Sequence, residues 1–313
     1  MAKFNANRVV PFDFKPFSEK QLLVLGWWML PQYKNKNALI CDGAVRSGKT
    51  VSMCFSYVNW ATYSYNGYNF AICGKTIASV RRNVIQPLKQ MLLSRGYTVQ
   101  DNRSANVLTI SRIWMDKGQR RTATNYFYIF GGGDEGSQDL IQGVTLAGVL
   151  FDEVALLAQS FVNQATARCS VEGAKFWFNC NPDSPYHWFN QEWIQKSEEK
   201  KALHLHFTMD DNLSLSEEVK ERYKSLYTGV FYKRFILGLW VMADGVIYPM
   251  FDPDKHVVNM RRNWTRIFLA ADFGIQNATT FGIFGYYAPE KRYHQIASYY
   301  HSGRTQGQKT VAE

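Results

Sequence analysis

The residues from Gly43 to Thr50 have the types and spacing needed to bind a chain of phosphates. They read Gly-Ala-Val-Arg-Ser-Gly-Lys-Thr and match the pattern GxxxxGK[ST] at every required position. The apolar run 38–41 precedes them and the helix-like segment 50–59 follows, which is the strand–loop–helix context that the pattern requires. The alternative is a chance match in a glycine-rich turn, and this context disfavours it. The sequence therefore predicts a phosphate-binding loop.

Several positions of this loop have a predicted part in nucleotide binding. Backbone amides turn inward around the phosphates, and the N-terminus of the following helix adds a partial positive charge. Lys49 reaches the β- and γ-phosphates, and the Thr50 hydroxyl binds Mg²⁺. Arg46 is within reach of the γ-phosphate, where its charge could assist transfer, although it could equally point into solvent. The predicted ATP-binding residues of the loop are Gly43, Ser47, Gly48, Lys49 and Thr50.

Two acidic residues follow a second apolar run. Residues 148–151 read as a strand, and Asp152 and Glu153 come directly after it. Together with a phosphate loop, such a pair holds Mg²⁺ with the first acid and activates the attacking water with the second, as a general base. The alternative for the pair alone is a helix N-cap followed by a solvated glutamate. We therefore expect hydrolysis, with Asp152 at the metal and Glu153 as the base.

A third apolar run, 175–178, ends in Asn179-Cys-Asn181-Pro182. Ligand sites of parallel sheets lie beyond the carboxyl ends of the strands. Asn179 or Asn181 could therefore hydrogen-bond a catalytic water or the γ-phosphate. An Asn-Pro turn is the alternative on spacing alone.

Strand-like and helix-like segments alternate around these motifs. Further strands are predicted at 68–73, 106–110 and 126–130, and a helix at 79–94 is interrupted by Pro87. Alternation of this kind predicts an α/β fold with a mainly parallel sheet covered on both faces. The charged amphipathic stretch 214–241 is interpreted as a helical linker.

The pattern changes near residue 266. Three strand-like runs, 266–271, 279–287 and 292–300, are separated by turns too short to contain helices. Consecutive strands on short connections form an antiparallel meander, which predicts a second domain.

Composition limits the class of protein. The chain has 313 residues, 46% of them hydrophobic and 20% charged, which excludes a largely disordered protein. No run approaches the roughly 18 apolar residues of a membrane-spanning helix. The five cysteines are scattered, which disfavours a disulfide framework or a zinc site and favours a reducing cytoplasm. With 36 Lys+Arg against 26 Asp+Glu, the net charge of +10 permits a polyanionic partner.

The motifs together resemble the large terminase subunit of tailed bacteriophages, the motor that pumps DNA into the procapsid, and most closely its PBSX-type branch. The resemblance rests on the loop with its internal arginine, the acid pair and the Asn179–Pro182 segment, and it continues in Thr208-Met-Asp-Asp-Asn212, Gly238-Leu-Trp240, Gly245-Val-Ile-Tyr248 and Ala271-Asp-Phe-Gly274. It implies a P-loop ATPase domain over residues 1–213, a linker subdomain over 214–245 and the first part of an RNase H-like nuclease domain over 246–313.

The resemblance also implies roles for single residues. Arg46 would take part in catalysis, and Asn181 would couple hydrolysis to movement. The adenine-contacting glutamine of the family would be Gln21, with Gln32 as the alternative. Asp272 would bind Mg²⁺ or Mn²⁺ in the nuclease.

The nuclease carboxylates that the resemblance implies are incomplete. Two-metal cleavage of DNA needs several carboxylates around the ions. After Asp272 the chain contains only Glu290 and Glu313 as acids. We therefore expect a C-terminally truncated chain without nuclease activity.

The resemblance implies a motor that works on double-stranded DNA as a homo-oligomeric ring. Its partners would be the portal protein and the small terminase subunit, in the host cytoplasm and docked on the procapsid, with no membrane involved. Cations that could contact DNA phosphates, or simply be solvated, are Lys34, Lys36, Arg81, Arg82, Arg120, Arg121, Arg261 and Arg262. The alternatives are a P-loop DNA helicase or recombination ATPase, and a non-catalytic scaffold whose assembly is controlled by nucleotide.

Overall fold

The computed structural model of the protein describes residues 12–242, 256–258, 262–274 and 278–302. Residues 245–248, Arg261 and Glu313, named above, lie outside these ranges. The chain divides into two compact units, Met1–Ile247 and Tyr248–Glu313. The first unit includes the stretch after residue 214, whereas the division into three parts at 213 and 245 stays a prediction.

An eight-stranded sheet forms the centre of the first unit. Its strands are β1 (Ala38–Gly43), β2 (Asn69–Gly74), β3 (Tyr97–Asn102), β4 (Val107–Asp116), β5 (Gln119–Gly131), β6 (Gly148–Phe151), β7 (Lys175–Asn179) and β8 (Ala202–Phe207), in the order β3-β4-β5-β2-β6-β7-β1-β8. The six strands from β5 to β8 in this order run parallel. The mainly parallel sheet and the α/β fold class are confirmed.

Strands β3 and β4 make the far edge of the sheet antiparallel. The reason is the two-residue turn Lys117-Gly118 between β4 and β5, where both residues have positive φ values of 48° and 79°. Such a turn matches the twist of a hairpin and reverses the chain. The sequence predictions contained no strand at β3 or β8 and started the fifth strand too late. Lys-Gly is a weak turn signal, β3 is largely polar, and histidines stand between the apolar residues of β8.

Helices cover both faces of the sheet, as predicted. The α-helices of this unit are α1 (Glu19–Gly26), α2 (Lys49–Ser64), α3 (Ile77–Val80), α4 (Gln86–Ser94), α5 (Gln159–Ala167), α6 (Glu217–Leu226) and α7 (Gly229–Phe231). Between α3 and α4 a π turn, Arg81–Ile85, lies just before Pro87. This is the predicted interruption, since proline has no amide hydrogen to donate within the helix.

The side chains of β1 alternate between two cores. Leu39 and Cys41 pack in the core that contains α2 and α4, whereas Ala38 and Ile40 pack in the core that contains α5. All six residues of β1 are buried. Burial on both faces holds the carboxyl end of β1, and therefore the loop after it, in a fixed position.

The second unit contains three antiparallel strands in the order β11-β10-β9: β9 (Arg266–Asp272), β10 (Ala278–Tyr287) and β11 (Arg292–Ser302). The predicted meander is confirmed. Every residue of β9 is exposed, including Ile267 at 64% and Leu269 at 69%. An apolar sheet face is normally buried against a second layer, and the described residues of this unit provide none for it.

No helix in the described ranges is long and apolar enough to span a bilayer.

Candidate nucleotide-hydrolysis site

The phosphate loop connects β1 to α2, as the sequence predicts. Gly43 has φ +127°, and a Cβ there would collide with the backbone carbonyl of Phe207 on β8. Gly48 has φ +82° and lies at the N-cap of α2. Both positions require glycine because L side chains rarely adopt this backbone conformation. The Ala44 amide donates to the Phe207 carbonyl at 2.8 Å, which joins the start of the loop to β8.

Lys49 fills the interior of the loop. Its side chain is buried, and Nζ donates to the carbonyls of Gly43 at 3.1 Å and Ala44 at 2.7 Å. It also donates to Ser47 Oγ at 3.1 Å and Asn181 Oδ1 at 3.2 Å. Burial lowers the pKa of Lys49, and the nearby Glu153 carboxylate opposes that effect. The ammonium therefore lies where the loop amides would surround phosphates.

Thr50 and Asp152 meet through the side chain of Asn179. Asn179 Nδ2 donates to Thr50 Oγ1 at 2.9 Å and to Asp152 Oδ1 at 2.7 Å. Burial raises the pKa of Asp152, against the hydrogen bond from Asn179 and the charge of Lys49.

The same three side chains fit a Mg²⁺ ion. Hydroxyl and carboxylate oxygens are ligands that Mg²⁺ prefers. Asn179 Oδ1 is buried and has no hydrogen-bond partner among the described residues, so it could accept from water bound to the ion. Thr50 and Asp152 are therefore the residues suited to hold the metal, with Asn179 beside them.

Glu153 follows Asp152 in a left-handed backbone conformation with φ +53°. Asn181 Nδ2 donates to both of its carboxylate oxygens, at 3.0 and 3.1 Å. Burial, together with the charge of Asp152, raises the pKa of Glu153 to about 7, although Lys49 and the hydrogen bonds from Asn181 act in the opposite direction. A carboxylate with a pKa near neutrality is suited to accept a proton from water.

Asn181 connects the loop lysine to this glutamate. Its Oδ1 accepts from Lys49 while its Nδ2 donates to Glu153. The predicted residues Lys49, Glu153 and Asn181 are therefore brought together in one hydrogen-bonded chain.

Arg46 lies at the exposed corner of the phosphate loop, and no contact joins it to Asp152 or Glu153 among the described residues. It is exposed, and its Nε donates to the Tyr223 hydroxyl on α6 at 3.0 Å. Asn212 Nδ2 donates to the Arg46 carbonyl at 2.7 Å, which ties the exposed corner of the loop to the segment after β8. The side chain is therefore exposed and hydrogen-bonded to Tyr223, and its role at the γ-phosphate stays a prediction.

Gln21 on α1 approaches the loop from another side. It is 4% exposed, it forms a capping box with Ser18, and its Nε2 lies so close to Gly48 that a Cβ there would collide with it. A cavity of about 140 Å³ opens beside these two residues. Its other lining residues are Phe12, Asp13, Phe14, Lys15, Pro16, Phe17, Val51, Asn212 and Ser214. Gln32, the alternative, is exposed in the turn Pro31–Tyr33.

Asp272 ends β9 in the second unit and is exposed. Within the part of the chain that the structure describes, no three acidic, histidine or cysteine side chains are placed to share a metal. Glu290 is instead ion-paired with Arg262 at 2.6 Å.

Comparison with known proteins agrees with this geometry. Residues 40–253 match the family described as "Terminase large subunit, T4likevirus-type, N-terminal". A large terminase from a thermophilic bacteriophage is 57% identical over 95% of this chain and 71% of its own, with a TM-score of 0.69. The chain belongs to the large terminase subunits. The family prediction is confirmed, whereas the PBSX-type branch stays a prediction.

More distant terminases share the fold. The ATPase domain of the Thermus phage P74-26 large terminase is 17% identical, with 73% of this chain and 95% of its own covered and a TM-score of 0.53. The HK97 bacteriophage large terminase is 12% identical, with 93% and 64% covered and a TM-score of 0.53. At these identities the likeness concerns the fold alone. The comparison with curated proteins found no match.

Three parts of this terminase site were missed or left open by the sequence predictions. Asn179 was only one of two candidates, although it bridges Thr50 and Asp152. Tyr223 and the buried Asp42 were not predicted at all. The position of Asn179 at the end of a strand was an available signal, whereas Tyr223 reaches the site only through tertiary packing.

Proposed function

We propose that this terminase subunit hydrolyses ATP with Mg²⁺ and uses the energy to move double-stranded DNA into a procapsid. The hydrogen-bonded chain Lys49–Asn181–Glu153, beside Thr50 and Asp152, is the observation that carries this proposal. It unites a phosphate-binding cation, two oxygen ligands for a metal and a carboxylate suited to proton transfer.

The loop residues would bind and orient the triphosphate. The amides at the N-terminus of α2 point toward the phosphates and carry its partial positive charge. Lys49 would exchange the carbonyls of Gly43 and Ala44 for phosphate oxygens, which would occupy the interior of the loop. Bound at Thr50 and Asp152, Mg²⁺ would neutralise phosphate charge.

Glu153 would accept the proton of the attacking water. Its pKa of about 7 allows the ionised form to be populated at neutral pH while keeping it basic enough to take a proton. Asn181 holds both carboxylate oxygens and so orients the base. Asn181 also contacts Lys49. A change in the phosphates that moved Lys49 would therefore change the position of Glu153 through Asn181.

ATP is the proposed nucleotide. The large terminase of the thermophilic bacteriophage has been solved in complex with ADP and with ATP-gamma-S, at 57% and 56% identity to this chain. Here the cavity beside Gly48 is lined by aromatic rings and by Gln21, whose amide can pair with the edge of a purine. We assign the adenine to this cavity and expect Gln21→Ala to raise the KM for ATP.

Arg46, at the exposed corner of the loop, would stabilise the negative charge that develops on the γ-phosphate. It would have to leave the Tyr223 hydroxyl to do so, or act on a neighbouring subunit. Arg46→Ala should lower the rate of hydrolysis more than the affinity for nucleotide.

DNA would contact basic residues outside the nucleotide site. Arg81 is paired with Asp101 at 3.0 Å, and Lys36 with Glu198 at 2.7 Å. By contrast, Lys117 and Arg120 at the tip of the β4–β5 hairpin are exposed, with no carboxylate partner among the described residues. Lys34 and Arg82 are also exposed without a carboxylate partner among the described residues, but each is single. Because Lys117 and Arg120 lie on the same hairpin tip and could contact phosphates together, we propose this tip as a DNA contact.

The DNA contact can be tested with a charge-matched control. A Lys117→Ala/Arg120→Ala double variant should lower the slope of log affinity for duplex DNA against log salt by about 2. Lys196 is exposed and Lys224 half-buried, and both are paired with nearby glutamates, so a Lys196→Ala/Lys224→Ala variant should keep the slope. Equal slopes in the wild type and both variants would exclude the hairpin tip as a DNA contact.

The experiment that tests the function itself is a Mg²⁺-dependent ATPase assay with and without duplex DNA. Glu153→Gln should bind ATP with nearly unchanged affinity and lose turnover by about 10²-fold or more. Wild-type protein that binds but does not hydrolyse ATP would favour the nucleotide-controlled scaffold. Strand separation by the wild type would favour the helicase.

The remaining family properties are proposals of the same kind. They are a homo-oligomeric ring, contacts with the portal and small subunit, a location in the host cytoplasm at the procapsid, and a nuclease metal at Asp272.

A further inference from the structure

A buried carboxylate lies at the base of the phosphate loop and takes no part in the chemistry above. Asp42 precedes Gly43 on β1, and its side chain is 2% exposed. Because side chains alternate along a strand, Asp42 points to the face of Ala38 and Ile40, away from α2. A buried carboxylate is tolerated only where hydrogen bonds replace its hydration.

Three side chains from elsewhere supply those hydrogen bonds. His204 Nε2 and His206 Nδ1 lie 2.8 and 3.2 Å from Asp42 Oδ1. Trp240 Nε1 donates to Oδ2 at 2.7 Å. Burial alone would raise the pKa of Asp42, but these partners hold it below its ordinary value, so the carboxylate stays ionised. Two partners belong to the neighbouring strand β8, and the third belongs to the segment after the linker helices.

That segment, residues 235–241, is called the strap here, and it contacts the phosphate loop directly. The Val45 amide donates to the Phe235 carbonyl at 2.9 Å. Gly238 has φ +69°, and a Cβ there would come within 2.6 Å of the Ala44 nitrogen. Backbone therefore packs on backbone at this point, so a movement of the loop and a movement of the strap are coupled.

The strap is also joined to the segment that follows Asn181. The Val241 amide donates to the Asp183 carbonyl at 3.2 Å. Arg234, just before the strap, pairs with the Asp183 carboxylate at 2.6 Å and donates to the Val241 carbonyl. The chain then continues toward the second unit, which begins at Tyr248. The strap thus links both sides of the nucleotide site to the chain that leaves this unit.

We propose that Asp42 and Trp240 form a latch that holds the strap on the phosphate loop, so that nucleotide bound at the loop orders the strap. Phosphates would order the loop amides around Ala44 and Val45, and the strap rests on these residues. Asp42 and Trp240 are then positioning residues, since neither touches the nucleotide. The proposal rests on the proposed ATP site. It assigns the strap as the segment through which nucleotide binding changes the chain that leaves this unit.

Hydrogen exchange of the full chain, with and without ATP-gamma-S, tests the latch. Trp240→Phe removes the indole donor and keeps an aromatic ring. Trp188→Phe is the matched control, because Trp188 packs against the same core and its indole donates no hydrogen bond among the described residues. Peptides from β6 provide an internal reference for global stability.

In the wild type, ATP-gamma-S should slow exchange in the strap. In Trp240→Phe, strap exchange without nucleotide should be about tenfold faster or more, as expected when a hydrogen bond to a charged acceptor is lost. The response of the strap to nucleotide should disappear, while β6 exchange and nucleotide affinity change by less than about threefold. Trp188→Phe should behave as the wild type.

The outcomes separate the latch from the ATP site. A wild type that hydrolyses ATP while its strap is indifferent to nucleotide would overturn the latch alone. A Trp240→Phe strap that still responds fully would do the same. If the wild type bound no nucleotide, both proposals would fall. Should Trp240→Phe not fold, Asp42→Ala is the second variant, because it removes the oxygen that accepts from Trp240 and should show the same loss of response.

Discussion

Glu153→Gln should make the protein more stable at alkaline pH, although we expect it to lower turnover about 10²-fold or more. The raised pKa of Glu153, about 7 against an ordinary 4.5, means that the folded state holds a proton which the unfolded chain has released. Between these two pH values the unfolded state binds fewer protons, so stability falls as pH rises. The stability contributed by the protonated form is present below about pH 4.5 and is lost by about pH 7.

The size of this effect follows from the same pKa difference. At about 1.4 kcal/mol per unit of pKa, ionisation of Glu153 costs the folded state about 3 kcal/mol above pH 7. Glutamine avoids this cost, but its NH₂ group replaces one oxygen that accepts from Asn181 Nδ2. One hydrogen bond, worth about 1 kcal/mol, is therefore lost. The variant should therefore gain about 2 kcal/mol at pH 8.5 and nothing at pH 5.

Urea unfolding, followed by the fluorescence of buried tryptophans, measures this difference. The titrations are made at pH 5 and pH 8.5 without nucleotide or divalent metal, since both would change the charge at the site. Glu172→Gln, at an exposed glutamate, is the control and should be neutral at both pH values. A Glu153→Gln protein that is less stable than wild type at pH 8.5, or equally shifted at both pH values, would refute the argument that burial holds the proton.

Three further predictions concern the loop, the metal and the second unit. Gly43→Ala should lower the free energy of unfolding by about 3 kcal/mol or more in thermal unfolding, because the alanine Cβ would collide with the Phe207 carbonyl. Gly67→Ala, at φ +82° in open space, is the control and should cost about 1 kcal/mol. Equal losses in the two variants would contradict the steric argument. Asn179→Ala should raise the Mg²⁺ concentration for half-maximal ATPase about tenfold and leave the KM for ATP unchanged at saturating Mg²⁺. Asp272→Asn should keep the rate of ATP hydrolysis within about twofold of wild type, since Asp272 and the nucleotide site belong to different units. A large loss of ATPase activity would show that hydrolysis depends on Asp272.

Five of the six parallel strands could be predicted from the sequence because they contain apolar runs and the loop motif has a required context. Strand β8 was missed, since histidines stand between its apolar residues. Strand β1 and the acids after β6 lie where the pattern places them. The antiparallel edge could not be predicted, since β3 is mostly polar and its pairing depends on a hairpin turn without a strong sequence signal.

The site shows the same division. Lys49 and Thr50 are placed by the loop motif at the start of α2, and Asp152 and Glu153 directly follow strand β6. The position of Arg46 is different, because its partner Tyr223 is far away in sequence and becomes its neighbour only when α6 packs on the loop.

The local motifs alone indicate which residues are suited to the proposed chemistry, because phosphate binding, metal binding and proton transfer each demand particular side chains next to particular strands. How these residues contact one another follows from the folded domain. Asn181 was a candidate beside Asn179, and the fold alone shows that one amide contacts the lysine and the glutamate while the other contacts Thr50 and Asp152. Asp42, an acid within an apolar strand, acquires its partners only because β8 and the strap close over it. Contacts between distant segments depend on packing of the whole domain, and no local pattern records them.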